Sequence, residues 1–230
     1  MGFLPSINQL MSIQNNQIDS DTSQMEQWLS QIPDTEKVKN FVSGPGISRL
    51  ELKFDIKKLR AALEIITEST EYVGEDVKKG HGAIPLTRRP GTSQFSDNDI
   101  SGRYWLRKDE KYIEEQVEEV VDETVFSELV PDFIGTYFEQ VHKELTARFT
   151  IGRMRILSKA QHCCNHWHRD PEPRLHIPIV SNPGSLFIVN NHCTHLPADG
   201  SVYFTDTRGY HAAVNGGFYD RVHIVATLPM

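Results

Sequence analysis

FTIGRMRIL at 149–157, RLHIPIV at 174–180, SLFIV at 185–189, SVYFTD at 201–206 and RVHIVATL at 221–228 are five short runs rich in β-branched and aromatic residues. Gly, Pro, Asn and Asp separate them, and no helical period intervenes. Short, evenly spaced strands of this kind predict a sandwich or barrel of antiparallel strands. Within RLHIPIV the alternation puts Arg174 and His176 on one face and Leu175, Ile177 and Ile179 on the other. Two polar groups inside such a strand make sense beside a bound anion.

Outward from this stretch the texture changes. Ile134, Phe138, Val141 and Leu145 predict a helix, with Pro131 before it breaking the chain. Ile113, Val117, Val120, Val121 and Val125 predict the inner face of an acidic helix over 113–125, with Glu114, Glu115, Glu118, Glu119 and Asp122 as its solvated face. Residues 68–103 read as loops with one short strand near 83–86. Leu50, Leu52, Phe54 and Ile56 alternate with Glu51, Lys53 and Asp55, a half-buried strand that gives way to a helix near Asp55, where Leu59, Leu63 and Ile66 take over. Met25, Trp28, Leu29 and Ile32 form one stripe of a short helix, capped at Ser20 or Asp21 and ended by Pro33. The expected organisation is a polar arm with a short helix over 1–45 and a single domain over 46–230. In that domain helical support (46–147) precedes the β core (148–230). The fold class is mainly β with flanking helices, α+β.

Composition excludes several functions. The 230 residues carry 24 Lys and Arg against 31 Asp and Glu, a net charge of −7. A nucleic-acid binder needs a basic stripe to displace counterions, so no nucleic-acid partner is expected. No apolar run approaches the ~18–20 residues that cross a bilayer, and the first residues lack the pattern of a secretory signal. Three cysteines (Cys163, Cys164, Cys193) form no closed disulfide framework, which fits the reducing cytosol. A cytoplasmic protein with no membrane partner is expected.

Histidine is unevenly distributed. Eight of ten lie between His162 and His223, where an even spread over 230 residues places about three, so a metal or proton-transfer role is indicated. His168 and Asp170, two residues apart at the end of a strand, project to one side and can chelate one metal. His211, after SVYFTD, supplies a third ligand. Two imidazoles and one carboxylate on one face of a metal form the non-haem Fe(II) oxygenase arrangement. Arg221 opens the last strand, where its planar fork can bind a carboxylate. His162, Cys163, Cys164 and His166, with His192, Cys193 and His195, also admit a structural zinc site, although the adjacent cysteines lack the usual CxxC spacing.

The pieces HRD (168–170), RLHIPIVSN (174–182), HLPADGSVYFTD (195–206), HAAVN (211–215) and DRVHIVATL (220–228) resemble the aspartyl/asparaginyl β-hydroxylase superfamily of Fe(II)/2-oxoglutarate dioxygenases, which also includes the free-proline hydroxylases. GAIPLTRRPG (82–91) is a fainter echo of that family's substrate-side segment. The resemblance implies a double-stranded β-helix core, of the jelly-roll or cupin type. It implies His168, Asp170 and His211 as iron ligands and Arg221 as the anchor of the distal carboxylate of 2-oxoglutarate. Arg174 and His176 match the pair that contacts the carboxylate near the metal, and Asn215 matches a motif position of open role. The implied cofactors are Fe(II), 2-oxoglutarate as cosubstrate and O2. The implied partner is a free amino acid or a peptide side chain, oligomeric state being open. This chain keeps the His-x-Asp carboxylate, as the proline-type members do. Arg88 and Arg89 are candidates for a substrate carboxylate. The rival reading is a non-catalytic, cupin-like barrel that binds a metal or a small anion.

Overall fold

The computed structural model describes residues 23–25, 27, 40–74, 77–100, 102, 104–108, 113–117 and 119–229. The chain divides into two compact units, Met1–Thr35 and Glu36–Met230. In the first unit the described residues 23–25 and 27 are helical, with Met25 exposed. Trp28, Leu29, Ile32 and the helix ends expected at Ser20, Asp21 and Pro33 lie outside the described residues.

The second unit contains fifteen strands among its described residues. They are β1 (Ile47–Lys53), β2 (His81–Pro85), β3 (Thr87–Arg88), β4 (Trp105–Lys108), β5 (Ile113–Gln116), β6 (Glu128–Leu129), β7 (Met154–Lys159) and β8 (Cys163–Cys164). They continue as β9 (His168–Arg169), β10 (Arg174–Val180), β11 (Ser185–Val189), β12 (His192–His195), β13 (Ser201–Thr205), β14 (His211–Asn215) and β15 (Arg221–Thr227). One sheet runs β1-β13-β10-β15-β7-β2, a second runs β12-β11-β14-β9-β4-β5 with β8 also paired to β14, and β3 and β6 form a two-stranded sheet apart. Every pairing is antiparallel.

Eight of these strands form the barrel. In chain order β7, β10, β13 and β15 fall in the first sheet, and β9, β11, β12 and β14 in the second. The first strand, β7, pairs with the last, β15. This is the two-sheet jelly roll of cupin-like proteins, as the sequence predicts. It is flanked by two helices, α1 (Ile56–Thr67) and α2 (Tyr137–Thr146).

Alternation along three strands gives the six-stranded sheet two different faces. Leu175, Ile177 and Ile179 of β10, Ile224 and Ala226 of β15, and Met154 and Ile156 of β7 pack on Leu59, Leu63 and Ile66 of α1 and Phe138, Val141 and Leu145 of α2. The intervening Arg174, His176, Arg221 and Arg155 face inward on a cavity. Asp55 caps α1, accepting from Lys57 N at 2.9 Å and Lys58 N at 3.2 Å. Thr136 does the same for α2 at Phe138 N. Such caps contribute about 1 kcal/mol each. A second apolar cluster (Ile47, Phe187, Val189, Leu196, Tyr203, Ala213) joins β1, β11, β13 and β14.

Two expectations fail here. Segment 113–125 is not a helix: its described residues form β5, paired with β4, then irregular chain, and a single 3-10 turn over Glu123–Val125. Ile113, Val117 and Val120 are exposed. Five β-branched residues favour extended chain. Of the carboxylates that suggested a solvated helix face, Glu114 has a specific partner, Arg169, and Glu123 next to them pairs with buried Arg153. Ile134, expected to open the second helix, lies before it and is exposed, because Thr136 sets the cap two residues later. Segment 46–147 also contributes β1 and β2 to the six-stranded sheet and β4 and β5 to the other. No described helix is long and apolar enough to cross a membrane.

Candidate metal and anion site

β9 and β14 lie side by side in the second sheet with His168 directly opposite His211. Their rings stand 4.1 Å apart, centroid to centroid. Asp170 follows β9, its backbone N donating to Thr207 O at 2.8 Å, and its carboxylate joins the two rings. The three candidate ligand atoms lie within 4.8 Å of one another, and all three residues are buried.

Hydrogen bonds fix the tautomers. His168 Nδ1 lies 2.8 Å from His166 O, and His211 Nδ1 lies 3.1 Å from Gly209 O. A carbonyl oxygen only accepts, so each Nδ1 carries the proton and each Nε2 turns a lone pair to the centre. Burial pushes both imidazoles down to about 3, so both are neutral at pH 7. The contact of 3.3 Å between His211 Nε2 and Asp170 Oδ2 is therefore not an ion pair. It sets a lone pair against a carboxylate oxygen. Among the described residues neither Asp170 oxygen has a hydrogen-bond partner, although Arg174 Nη2 lies 2.9 Å from Oδ2 as an ion pair. Burial raises the Asp170 carboxyl, and Arg174 counters it. Acceptors converging in a buried site repel unless a cation stands between them. Two neutral imidazoles and one carboxylate fit a divalent transition metal with open positions.

Above this cluster opens a cavity of about 440 Å3, lined from the opposite sheet by Arg155, Lys159, Arg174, His176 and Arg221. Burial brings Arg221 down to about 9, which leaves it charged at pH 7. Arg221 Nη2 donates to His223 Nδ1 at 2.8 Å, so His223 holds the guanidinium in place. His176 packs against Phe187, with ring centroids 4.9 Å apart, and neither of its nitrogens has a hydrogen-bond partner among the described residues. Burial, then the charges of Arg221 and Arg174, keep it well below the usual imidazole range. Lys159, buried opposite Arg221 across the β7–β15 pair, contacts His81 Nδ1 and Asn165 Oδ1.

No family model matches the chain, and no curated protein does. Solved structures similar to it include an oxidoreductase of the 2OG-Fe(II) oxygenase family from Burkholderia pseudomallei, at 15% identity and a TM-score of 0.46, covering 86% of this chain and 91% of that one. A Pseudomonas putida prolyl-4-hydroxylase is similar at 10% identity and a TM-score of 0.43, covering 85% and 96%. A cupin domain from Bordetella pertussis is similar at 15% identity and a TM-score of 0.30, covering 34% and 81%. The fold is established by the strand order.

Of the six residues expected to form the site, His168, His211, Arg174, His176 and Arg221 line one cavity, and Asp170 lies behind it against His211 and Arg174. Arg88 and Arg89 do not. Arg88 is bound to Glu128 through Nε and Nη2 at 3.2 and 3.1 Å. Arg89 is bound to Asp99 at 3.0 Å and lies over the Phe126 ring. Neither lines the cavity, since both guanidiniums brace the surrounding loops. The cysteine–histidine zinc reading fails as well. β8 and β12 are separated by β14 and β11, three strand spacings or roughly 14 Å. His192 and His195 bind the carbonyls of Val42 and Ser185, and the triad is the one metal-capable group among the described residues. Asn215, whose role was open, is a buried tie: its Nδ2 donates to Lys159 O, Ala160 O and Tyr219 O, and its Oδ1 accepts from Asn182.

Sequence reasoning missed Arg155, Lys159 and His223. The alternation that marked Arg174 and His176 applies equally to GRMRILSK, where Arg153, Arg155 and Lys159 alternate with Met154 and Ile156. His223 stands two residues beyond Arg221, on the same face.

Proposed function

We propose that this protein is a non-haem Fe(II)/2-oxoglutarate-dependent dioxygenase that hydroxylates an amino acid, free or in a peptide, with succinate and CO2 as co-products. The carrying observation is the buried cluster of two neutral Nε2 lone pairs and the Asp170 carboxylate, beside a cavity that His168 and His211 line and whose far wall holds Arg221. His168, Asp170 and His211 would hold the metal, and the paired carbonyls at His166 and Gly209 keep both rings turned toward it. Arg221 would take the distal carboxylate of 2-oxoglutarate through two parallel donors, in an orientation that His223 maintains. Arg174, 2.9 Å from Asp170, and His176 line the same cavity and would meet the carboxylate near the metal. Bound iron with 2-oxoglutarate supplies oxidation of an unactivated C–H at the expense of O2 and the keto acid. The protein's part is to orient the acid, keep the rings unprotonated and exclude water.

The test is succinate formation from 2-oxoglutarate with Fe(II) and ascorbate, coupled to a mass-spectrometric screen for a product heavier by one oxygen. Iron-dependent succinate, lost in His211→Ala, is expected. Metal binding with no turnover on any candidate points to a binding barrel instead.

A further inference from the structure

The cationic side chains of the cavity already have tasks or partners. Arg174 and Arg221 are given to the keto acid. Lys159 contacts His81 Nδ1 and Asn165 Oδ1, and Arg155 Nη1 donates to Ile100 O at 2.6 Å. The one acidic side chain among the described lining residues, Asp97, stands exposed at the rim. What the walls still offer a substrate is aliphatic surface.

Both sheets supply it. In the six-stranded sheet β2 and β7 pair Ala83 with Leu157, and an isolated bridge pairs Ala83 in turn with Val73. Residues paired in this way share a face, and all three line the cavity. They form one row across three neighbouring segments, about 10 Å wide at two strand spacings. In the other sheet Leu106 stands directly opposite His168 across the β4–β9 pair, beside a metal ligand. Leu106, Ile100 and Val117 line the same cavity, and exposed Val73 and Val117 carry the aliphatic lining out to solvent. These side chains are not core. Ile100, Leu106 and Leu157 are half-buried, yet none packs into an apolar cluster among the described residues. Their neighbours Met154 and Ile156, on the other face of β7, do. Aliphatic groups left out of the core and turned to a cavity stay hydrated at a cost until an apolar group covers them.

We infer that the substrate presents an open aliphatic side chain of leucine's size, seated between Leu106 and the Leu157–Ala83–Val73 row. This rests on the dioxygenase reading and narrows it to a substrate class: leucine, isoleucine, norleucine and their like. Leu106, beside His168, would hold a methyl or methylene next to the metal position, the kind of unactivated C–H that this chemistry oxidises. Aspartate or asparagine would bring a polar group onto an aliphatic wall and forfeit its hydration. A pyrrolidine ring covers less of the row than an open chain does.

The experiment titrates the protein, loaded with Zn(II) and 2-oxoglutarate, with alanine, norvaline, norleucine and leucine, read by calorimetry. Proline, aspartate and asparagine are compared, and every amino acid is used both free and as its N-acetyl amide. In one form or the other the straight-chain series should tighten about fourfold per methylene, the effect of burying one CH2. Leucine should bind more tightly than proline, aspartate or asparagine. Leu157→Ala should flatten the series. Val73→Ser, at the exposed rim, should weaken norleucine most and covers a Leu157 variant that fails to fold. With Fe(II) and O2 in place of Zn(II), the tightest-binding member should gain one oxygen. Affinity independent of chain length, no binding in either form, or both variants matching the wild type would overturn the inference. So would tighter binding or selective hydroxylation of proline, aspartate or asparagine. Any of these with zinc and 2-oxoglutarate binding intact leaves the dioxygenase reading standing. Chain-length-dependent binding in a protein that takes up neither zinc nor 2-oxoglutarate would overturn that reading and leave the aliphatic site.

Discussion

The two sheets that face each other across the cavity are built differently and hold different chemistry. The six-stranded sheet contributes β10 and β15, seven residues each and buried on almost every position, and they carry fixed positive charge. The other sheet places its candidate ligands from β9, two residues long, and β14, five residues long, as neutral imidazoles. Guanidiniums are costly to bury, so their strands are locked by partners on both sides, and helices cover the back of the sheet. The imidazoles need little strand. One cross-strand pair and two backbone carbonyls are enough to set both rings. Charge is placed by long-range packing, and ligand direction by local hydrogen bonds.

The strongest way to break this division is at the imidazoles. His168→Ala or His211→Ala should abolish iron-dependent succinate formation and leave the fold intact, as circular dichroism can check. Normal turnover without both histidines would remove the metal from that sheet altogether. Asp170→Ala should cut turnover by more than the ~10–100-fold typical of a residue that only supports a ligand. Near-full activity at saturating Fe(II) would make the site a two-histidine one and Asp170 merely the partner of Arg174.

The charged sheet is tested through stability. Burial pushes the Glu123 carboxyl up, but Arg153 more than offsets this and holds it below its usual range. Its folded value being depressed, the stability from this pair is present above the ordinary carboxylate range and is lost as pH falls through the folded value. Glu123→Gln strands a buried guanidinium and should cost about 3 kcal/mol near neutrality, or roughly 6–12 °C in Tm. The gap to wild type should close in acid. An unchanged Tm at pH 7 would show that the arginines do not depend on their counter-charges. Arg221→Lys keeps charge but loses the fork, and should raise the KM for 2-oxoglutarate about tenfold with kcat less affected. An unmoved KM would shift the anchor to Arg174. The smallest effect belongs to the outer edge of the second sheet, where Arg169 binds Glu114 at 2.6 Å in solvent-screened surroundings. Glu114→Ala should cost under about 1 kcal/mol, and a larger loss would mean the β4–β5 hairpin supports β9.

The same division explains what could be read in the sequence. β7, β10, β13 and β15 stand out as runs because each buries an apolar face on helices or between the sheets, and alternation records that burial. From it Arg174 and His176 follow, and Arg221 from its place at the start of the last strand. β4, β5, β8, β9 and β12 are two to four residues long, too short for any period to emerge. The acidic segment 113–125 misled for a related reason. Its valines fit a helical stripe by spacing, while its β-branched composition and the pairing of Glu114 and Glu123 with distant arginines decided otherwise. His168 and Asp170 were legible from spacing two apart. Their closure with His211 depends on the β9–β14 register, which no local pattern carries.

The most direct test of the central claim needs no substrate and no turnover. Under nitrogen, Fe(II) and 2-oxoglutarate are added to the protein and the visible absorption of an iron-chelated keto acid is recorded. The wild type should develop the band only when both are present, His211→Ala should show none, and Arg221→Lys should need about tenfold more 2-oxoglutarate to reach it. A wild-type protein that binds Fe(II) without developing the band, or a His211→Ala variant that develops it undiminished, would contradict the account.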